Sequence, residues 1–133
     1  MVMKLVIDTN AYSDFMRGDS AVQEHISRAD QIVVPAPVVG ELLHGFLGGR
    51  KREENRQQLR RFLESPVVEF NPTDETVCDR YALVLDQLRR KGRPIPTNDI
   101  WIAAHALASG GQLLSSDQHF QFIDGLSWCC PSD

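Results

Sequence analysis

The chain has 133 residues, 42% of them apolar and 24% charged, with a formal net charge of −4. This length holds one hydrophobic core of ordinary size, a single domain over 1–133, and the composition is that of a soluble globular protein. No run nears the ~18 apolar residues of a membrane span, and the start reaches Asp8 without the apolar core of a secretion signal, so a cytoplasmic protein with no membrane partner is expected.

Charge is spread unevenly. Residues 50–93 hold 11 of the 14 basic side chains against eight acidic ones, leaving three basic and ten acidic elsewhere. An acid-lined pocket flanked by basic helices produces such a split, and so do ordinary solvated helix faces. Arg50, Lys51, Arg52 and Arg56, with Arg60 and Arg61, are the phosphate-contacting candidates. The three cysteines, Cys78, Cys129 and Cys130, fit neither a disulfide framework nor zinc spacing and read as reduced packing residues.

In chain order, Leu5-Val6-Ile7 is an unbroken apolar block, the pattern of a strand buried on both faces of a parallel sheet. It stops at Asp8. The carboxyl ends of strands in open α/β sheets form the ligand crevice, so Asp8 is placed for chemistry, although Asp is also a favoured helix N-cap. Ala11 to Arg17 then reads as a short helix closed by Gly18. Asp19 or Ser20 caps a second helix through Arg28.

Gln31 to Val34 is the second predicted strand, ended by Pro35 and Pro37, and Pro37 can open the next helix. That helix runs to about Gly48 and carries Glu41 one turn in. Gly48-Gly49 precedes a charged helix over Lys51 to Glu64, whose few apolar positions, Leu59, Phe62 and Leu63, give thin cover. This pair of helices is expected to protrude or to meet a partner. Val67 to Phe70 is the third strand.

Asp74 to Lys91 is the clearest helix, with Val77, Tyr81, Val84, Leu85 and Leu88 aligned and Gly92 as its stop. Arg93-Pro94-Ile95-Pro96 is a stiff connector. Thr97 or Asn98 caps the next helix, which buries Ile100, Ala103, Ala104 and Leu107 and has Asp99 in its first turn, where the helix dipole also favours a carboxylate. Trp101, on the opposite side, is expected to contact another subunit. Gly110-Gly111 ends that helix, and Leu113-Leu114 leads through Ser115-Ser116 to Asp117, repeating the theme of a strand that ends at an acid.

Ile7-Asp8-Thr9-Asn10, Val39-Gly40-Glu41-Leu42, Asn98-Asp99-x-x-Ile102-Ala103-Ala104 and Ser115-x-Asp117 with Phe120 together resemble the PIN-domain ribonucleases, specifically the VapC toxins of prokaryotic toxin–antitoxin pairs. Order, spacing and length agree over nearly the whole chain. The resemblance implies a three-layer α/β/α fold with a central, mainly parallel sheet, in which Asp8, Glu41, Asp99 and Asp117 converge on one pocket. It also implies cleavage of single-stranded or looped RNA to a 5′-phosphate and a 3′-hydroxyl, a cognate antitoxin as partner, and a homodimer.

Four clustered carboxylates repel, each pair by about 4 kcal/mol at ~4 Å and an effective dielectric of ~20, so a cation belongs between them. All-oxygen donors favour Mg2+ or Mn2+ over zinc, and no histidine is expected in the set. By the resemblance Asp8 and Asp99 are the principal metal ligands, Glu41 and Asp117 complete the site or orient a water, and Asn10 and Ser115 hold the carboxylates by hydrogen bonds. Local turn bonding is the plainer role for those two. His119 reads first as a turn residue that could also approach a phosphate, and His44 as packing or surface. An aspartyl-phosphate phosphatase would need a second acid where Asn10 stands. A non-catalytic PIN-like module that binds RNA or protein is the remaining alternative, and retention of all four acids speaks against it.

Overall fold

The computed structural model describes residues 2–133. Leu5, Val6 and Ile7 are fully buried, as an unbroken apolar run requires. They form β1 (Lys4–Ile7), the middle of a five-stranded sheet with β2 (Gln31–Pro35), β3 (Val68–Asn71), β4 (Gln112–Leu114) and β5 (Trp128–Cys129). The order is β3-β2-β1-β4-β5, and every neighbouring pair is parallel.

Six helices flank this sheet. α1 (Thr9–Met16) and α2 (Ser20–Arg28) join β1 to β2, α3 (Ala36–Leu47) and α4 (Arg52–Leu63) join β2 to β3, and α5 (Glu75–Lys91) and α6 (Thr97–Ser109) lead back to β4. The chain thus builds outward from β1, then returns to lay β4 on the other side of it. The reversal opens a crevice at the carboxyl ends of β1 and β4, where such sheets hold their ligands.

α5 illustrates how local sequence sets an element. The Asp74 side chain accepts from the Val77 N–H at 3.0 Å, and Val77, Val84 and Leu88 form the buried stripe. Gly92 ends the helix with φ +65°, and the Arg93 N–H returns to the Leu88 carbonyl at 3.0 Å. Asp74→Ala is expected to lower stability by about 1 kcal/mol. Urea unfolding checks this, and an unchanged midpoint would remove the cap from the account.

Two expectations need correction, for the α6 cap and for Cys78, and Trp101 gains a partner that was not foreseen. α6 begins a residue earlier than read: Pro96, not Thr97 or Asn98, holds the cap position, and its carbonyl takes the Asp99 and Ile100 N–H groups. Proline fits there because its fixed φ suits the entry and its missing N–H is needed by no partner outside the helix. Trp101 has a partner within its own chain. Its ring stacks on Tyr81 of α5, with centroids 3.8 Å apart and planes 17° apart, so it joins two helices of one chain. Cys78 is exposed rather than packed.

α4 gives thin cover, as its sequence suggests. Only Leu59 of this helix is fully buried, while Phe62 packs edge-on against Tyr12 at 5.2 Å. Leu47, at the end of α3, stays 59% exposed. No helix among the described residues is long and apolar enough to cross a membrane.

His105 ties the end of β3 to α6. The imidazole is wholly buried, with Nδ1 2.6 Å from Asn71 Oδ1 and Nε2 2.8 Å from Thr73 Oγ1. Nδ1 donates to the Asn71 carbonyl oxygen, and the Thr73 hydroxyl donates to Nε2, an arrangement for a neutral ring. Burial pushes its pKa down to about 4, against a small opposing pull from Asp74.

Candidate active site

Asp8 is placed by sheet register. Ile7 of β1 pairs with Leu114 of β4, so the next residues, Asp8 and Ser115, leave the sheet side by side. Asp8 is only 6% exposed. Its Oδ1 accepts from the Ala11 N–H at 2.8 Å, capping α1, and its Oδ2 accepts from the Ser115 hydroxyl at 2.5 Å. Cap and pocket residue are therefore one side chain in two roles. Burial raises the Asp8 pKa, the two hydrogen bonds oppose that, and the nearby charges of Asp117 and Glu41 push the same way as burial.

Ser115 is itself pinned on several sides. Its hydroxyl oxygen accepts from the Asp117 N–H at 3.0 Å while donating to Asp8. Its backbone N–H reaches the Cys129 carbonyl at 3.1 Å, and its carbonyl takes the Trp128 indole N–H at 2.8 Å. β5 thus acts as a clamp on the residue that orients Asp8. Trp128→Phe, which removes the donor along with part of the indole, is expected to cost about 1 kcal/mol for the bond and more for the lost packing. Thermal unfolding checks it, and equal melting points would show the indole bond to be idle.

The mouth of the pocket is built by Asp99, Asp117 and His119. Asp99 lies in the first turn of α6. Asp117 follows β4 and caps a short 3-10 helix, Gln118–Phe122, accepting from the His119 N–H at 2.9 Å. The His119 ring turns back over both acids, with Nδ1 3.0 Å from Asp99 Oδ2 and 2.9 Å from Asp117 Oδ1. One ligand-capable atom from each of the three lies within 4.8 Å of the others. Burial raises the Asp99 pKa, the His119 hydrogen bond lowers it, and Asp117 raises it again. The bond to Asp99 raises the His119 pKa in turn.

Glu41 reaches the group from α3, and its Oε1 accepts from the Thr9 hydroxyl at 3.1 Å. Glu41 and Asp117 both act on Asp8, and Asp117 also acts on Asp99. The structure therefore brings the four acids, drawn from residues 8 to 117, to one end of the sheet. A donor set of carboxylates with one imidazole suits a hard or borderline divalent cation.

Not every expected residue joins them. Asn10 is exposed and makes no side-chain hydrogen bond among the described residues, because the second position of α1 faces outward. The tether attributed to it belongs to Thr9, one residue earlier and facing α3. Arg50, Lys51, Arg52 and Arg56 are exposed at and just after the turn into α4, and no ion pair links them to the four acids among the described residues. His44 is exposed on α3. His119, not expected among them, lies with its ring within hydrogen-bond reach of Asp99 and Asp117. The sequence signal for it was position alone, two residues past Asp117; Thr9 stood in the Ile7–Asn10 motif without a role of its own, and nothing marked Trp128.

The description "PIN domain" belongs to the family model that matches residues 5–126, and the chain belongs to that family. It is 29% identical over 131 residues to ribonuclease VapC1 of Haemophilus influenzae, covering 95% of this chain and 96% of that one. It is 32% identical over 87 residues to ribonuclease VapC4 of Mycobacterium tuberculosis, covering 65% and 67%. The structure of VapBC-1 from nontypeable Haemophilus influenzae superposes with a TM-score of 0.87 at 28% identity, covering 98% of this chain and 100% of that one. Within the PIN family the chain stands with the VapC ribonucleases.

Proposed function

We propose that this protein is a divalent-cation-dependent endoribonuclease, the toxin of a VapBC-type pair, that hydrolyses RNA phosphodiester bonds in the cytoplasm. The observation that carries the reading is the pairing of Ile7 with Leu114, which sets Asp8 beside Ser115 and Asp117 in an acidic pocket that Glu41 and Asp99 enter from two helices. The likeness to ribonucleases VapC1 and VapC4 supports the substrate class, and the likeness to VapBC-1 supports a protein partner, an antitoxin, that restrains the enzyme. A homodimer belongs to the same reading.

Asp8 and Asp99 would hold Mg2+ or Mn2+, with Glu41 and Asp117 completing the site. The bound cation supplies water activation and stabilises the leaving oxygen of an in-line displacement. Ser115 keeps Asp8 aimed into the pocket, and Thr9 does the same for Glu41. Arg50, Lys51, Arg52 and Arg56 form a basic flank able to attract the RNA backbone. A non-catalytic binding module would have no use for four mutually repelling acids in one pocket.

The test is incubation of the purified chain with a structured RNA, with Mn2+, with Mg2+ and with EDTA, followed by sequencing of the cut ends. Cleavage with either ion that leaves 5′-phosphates and stops in EDTA is expected. Undiminished cleavage in EDTA, or none with either ion, would defeat the reading.

A further inference from the structure

His119 is the nitrogen donor that bonds two of the site's carboxylates at once. We propose that its imidazole, releasing the Nδ1 proton to solvent as the cation enters, is a direct ligand of that cation, forming with Asp99 and Asp117 the outer face of the site and biasing it toward Mn2+ over Mg2+. This rests on the cation-dependent reading above.

Three features lead here. The donor atoms of Asp99, Asp117 and His119 lie within 4.8 Å of one another, a span one ion can bridge. The ring does not reach the acids as a loose surface side chain, because the His119 N–H is fixed to Asp117 Oδ1 at 2.9 Å and the residue sits within the 3-10 helix that Asp117 caps. At 47% exposure, the ring lies on the solvent side of the acids, while Asp8 closes the buried side, so the two ends of the pocket are chemically different.

That difference has a consequence for metal choice. Mg2+ binds almost entirely through oxygen and gives up its waters reluctantly. Imidazole suits the later first-row metals best, and Mn2+, which shares the oxygen preference of Mg2+ but opens that transition series, takes a nitrogen donor more readily than Mg2+ does. A pocket with a histidine at its mouth therefore favours Mn2+ more than one with a fifth carboxylate there. His119→Asp keeps the number of donors and changes only their chemistry.

Pulsed electron paramagnetic resonance of the full chain loaded with Mn2+ tests the bond directly. The unaltered protein should show the nitrogen-14 modulation of a bound imidazole, and His119→Asp should lose it. By calorimetry, the ratio of Mn2+ to Mg2+ affinity should fall about tenfold in that variant. Bound Mn2+ without nitrogen modulation, together with RNA cleavage, would overturn this inference and leave the nuclease reading standing. Failure of the unaltered chain to bind either ion or cut RNA would overturn both.

Discussion

Asp8→Asn is expected to slow metal-dependent RNA cleavage by about a thousandfold, because a carboxylate that holds the cation contributes several kcal/mol to the transition state and each 1.36 kcal/mol is tenfold. The substitution is gentle on the fold. An asparagine oxygen can still accept the Ala11 N–H that starts α1, and the Ser115 hydroxyl can reverse its role toward an amide donor. Without metal, the variant is expected to melt at a higher temperature than the unaltered protein, since burial and the charges of Asp117 and Glu41 all disfavour the ionised Asp8. Added Mn2+ should raise the melting point of the unaltered chain far more than that of the variant. Asp99→Asn should behave alike in activity, with a smaller gain in stability because it gives up an ionic bond to His119. Activity kept by either variant would take that residue out of the machinery, and lower melting points for both would argue against crowded charge.

His105 makes the stability of the fold depend on pH. Its folded-state pKa is depressed to about 4, whereas the unfolded chain takes up a proton near 6.5. The folded state therefore binds fewer protons between those values. The stabilisation is intact above about pH 6.5 and is lost as pH falls toward 4, each unit costing about 1.4 kcal/mol. Between pH 7.5 and 4.5 the loss is about 2–3 kcal/mol, a sizeable share of a typical folding free energy. His105→Phe fills much of the same space, has no titrating group and leaves Asn71 and Thr73 near water, so its urea-unfolding free energy should fall much less over that range. Parallel pH profiles for the two proteins would show that the ring is not held neutral.

The central fold was legible because its signals are local. Leu5-Val6-Ile7 reads as a doubly covered strand, and the stripe from Val77 to Leu88, with its Asp74 and Gly92 ends, reads as a helix without outside help. Asp8 and Asp117 were legible for a topological reason, since each follows a parallel strand at the crevice, whereas Glu41 within α3 and Asp99 at the start of α6 were legible through the motifs that carry the family resemblance. What stayed hidden depends on tertiary partners. β5 is two half-buried residues at the sheet edge, too short for any period, and exists because β4 offers it an edge. The stack of Trp101 on Tyr81 depends on where α5 lies against α6, which no local pattern states. His119 and Thr9 carry no pattern of their own, and only the turn after Asp117 and the approach of α3 to α1 give them their partners. Asn10 shows the converse, a residue matched by motif whose side chain the helix directs to solvent.

The central claim is that Asp8, Glu41, Asp99 and Asp117 share a divalent cation at the crevice between β1 and β4. Anomalous diffraction from crystals of the protein grown with Mn2+ tests it most directly. A peak among these four carboxylates, absent in Asp8→Asn crystals grown alike, is the predicted result. Mn2+ bound elsewhere, with the four side chains ligand-free at saturating ion, would contradict it.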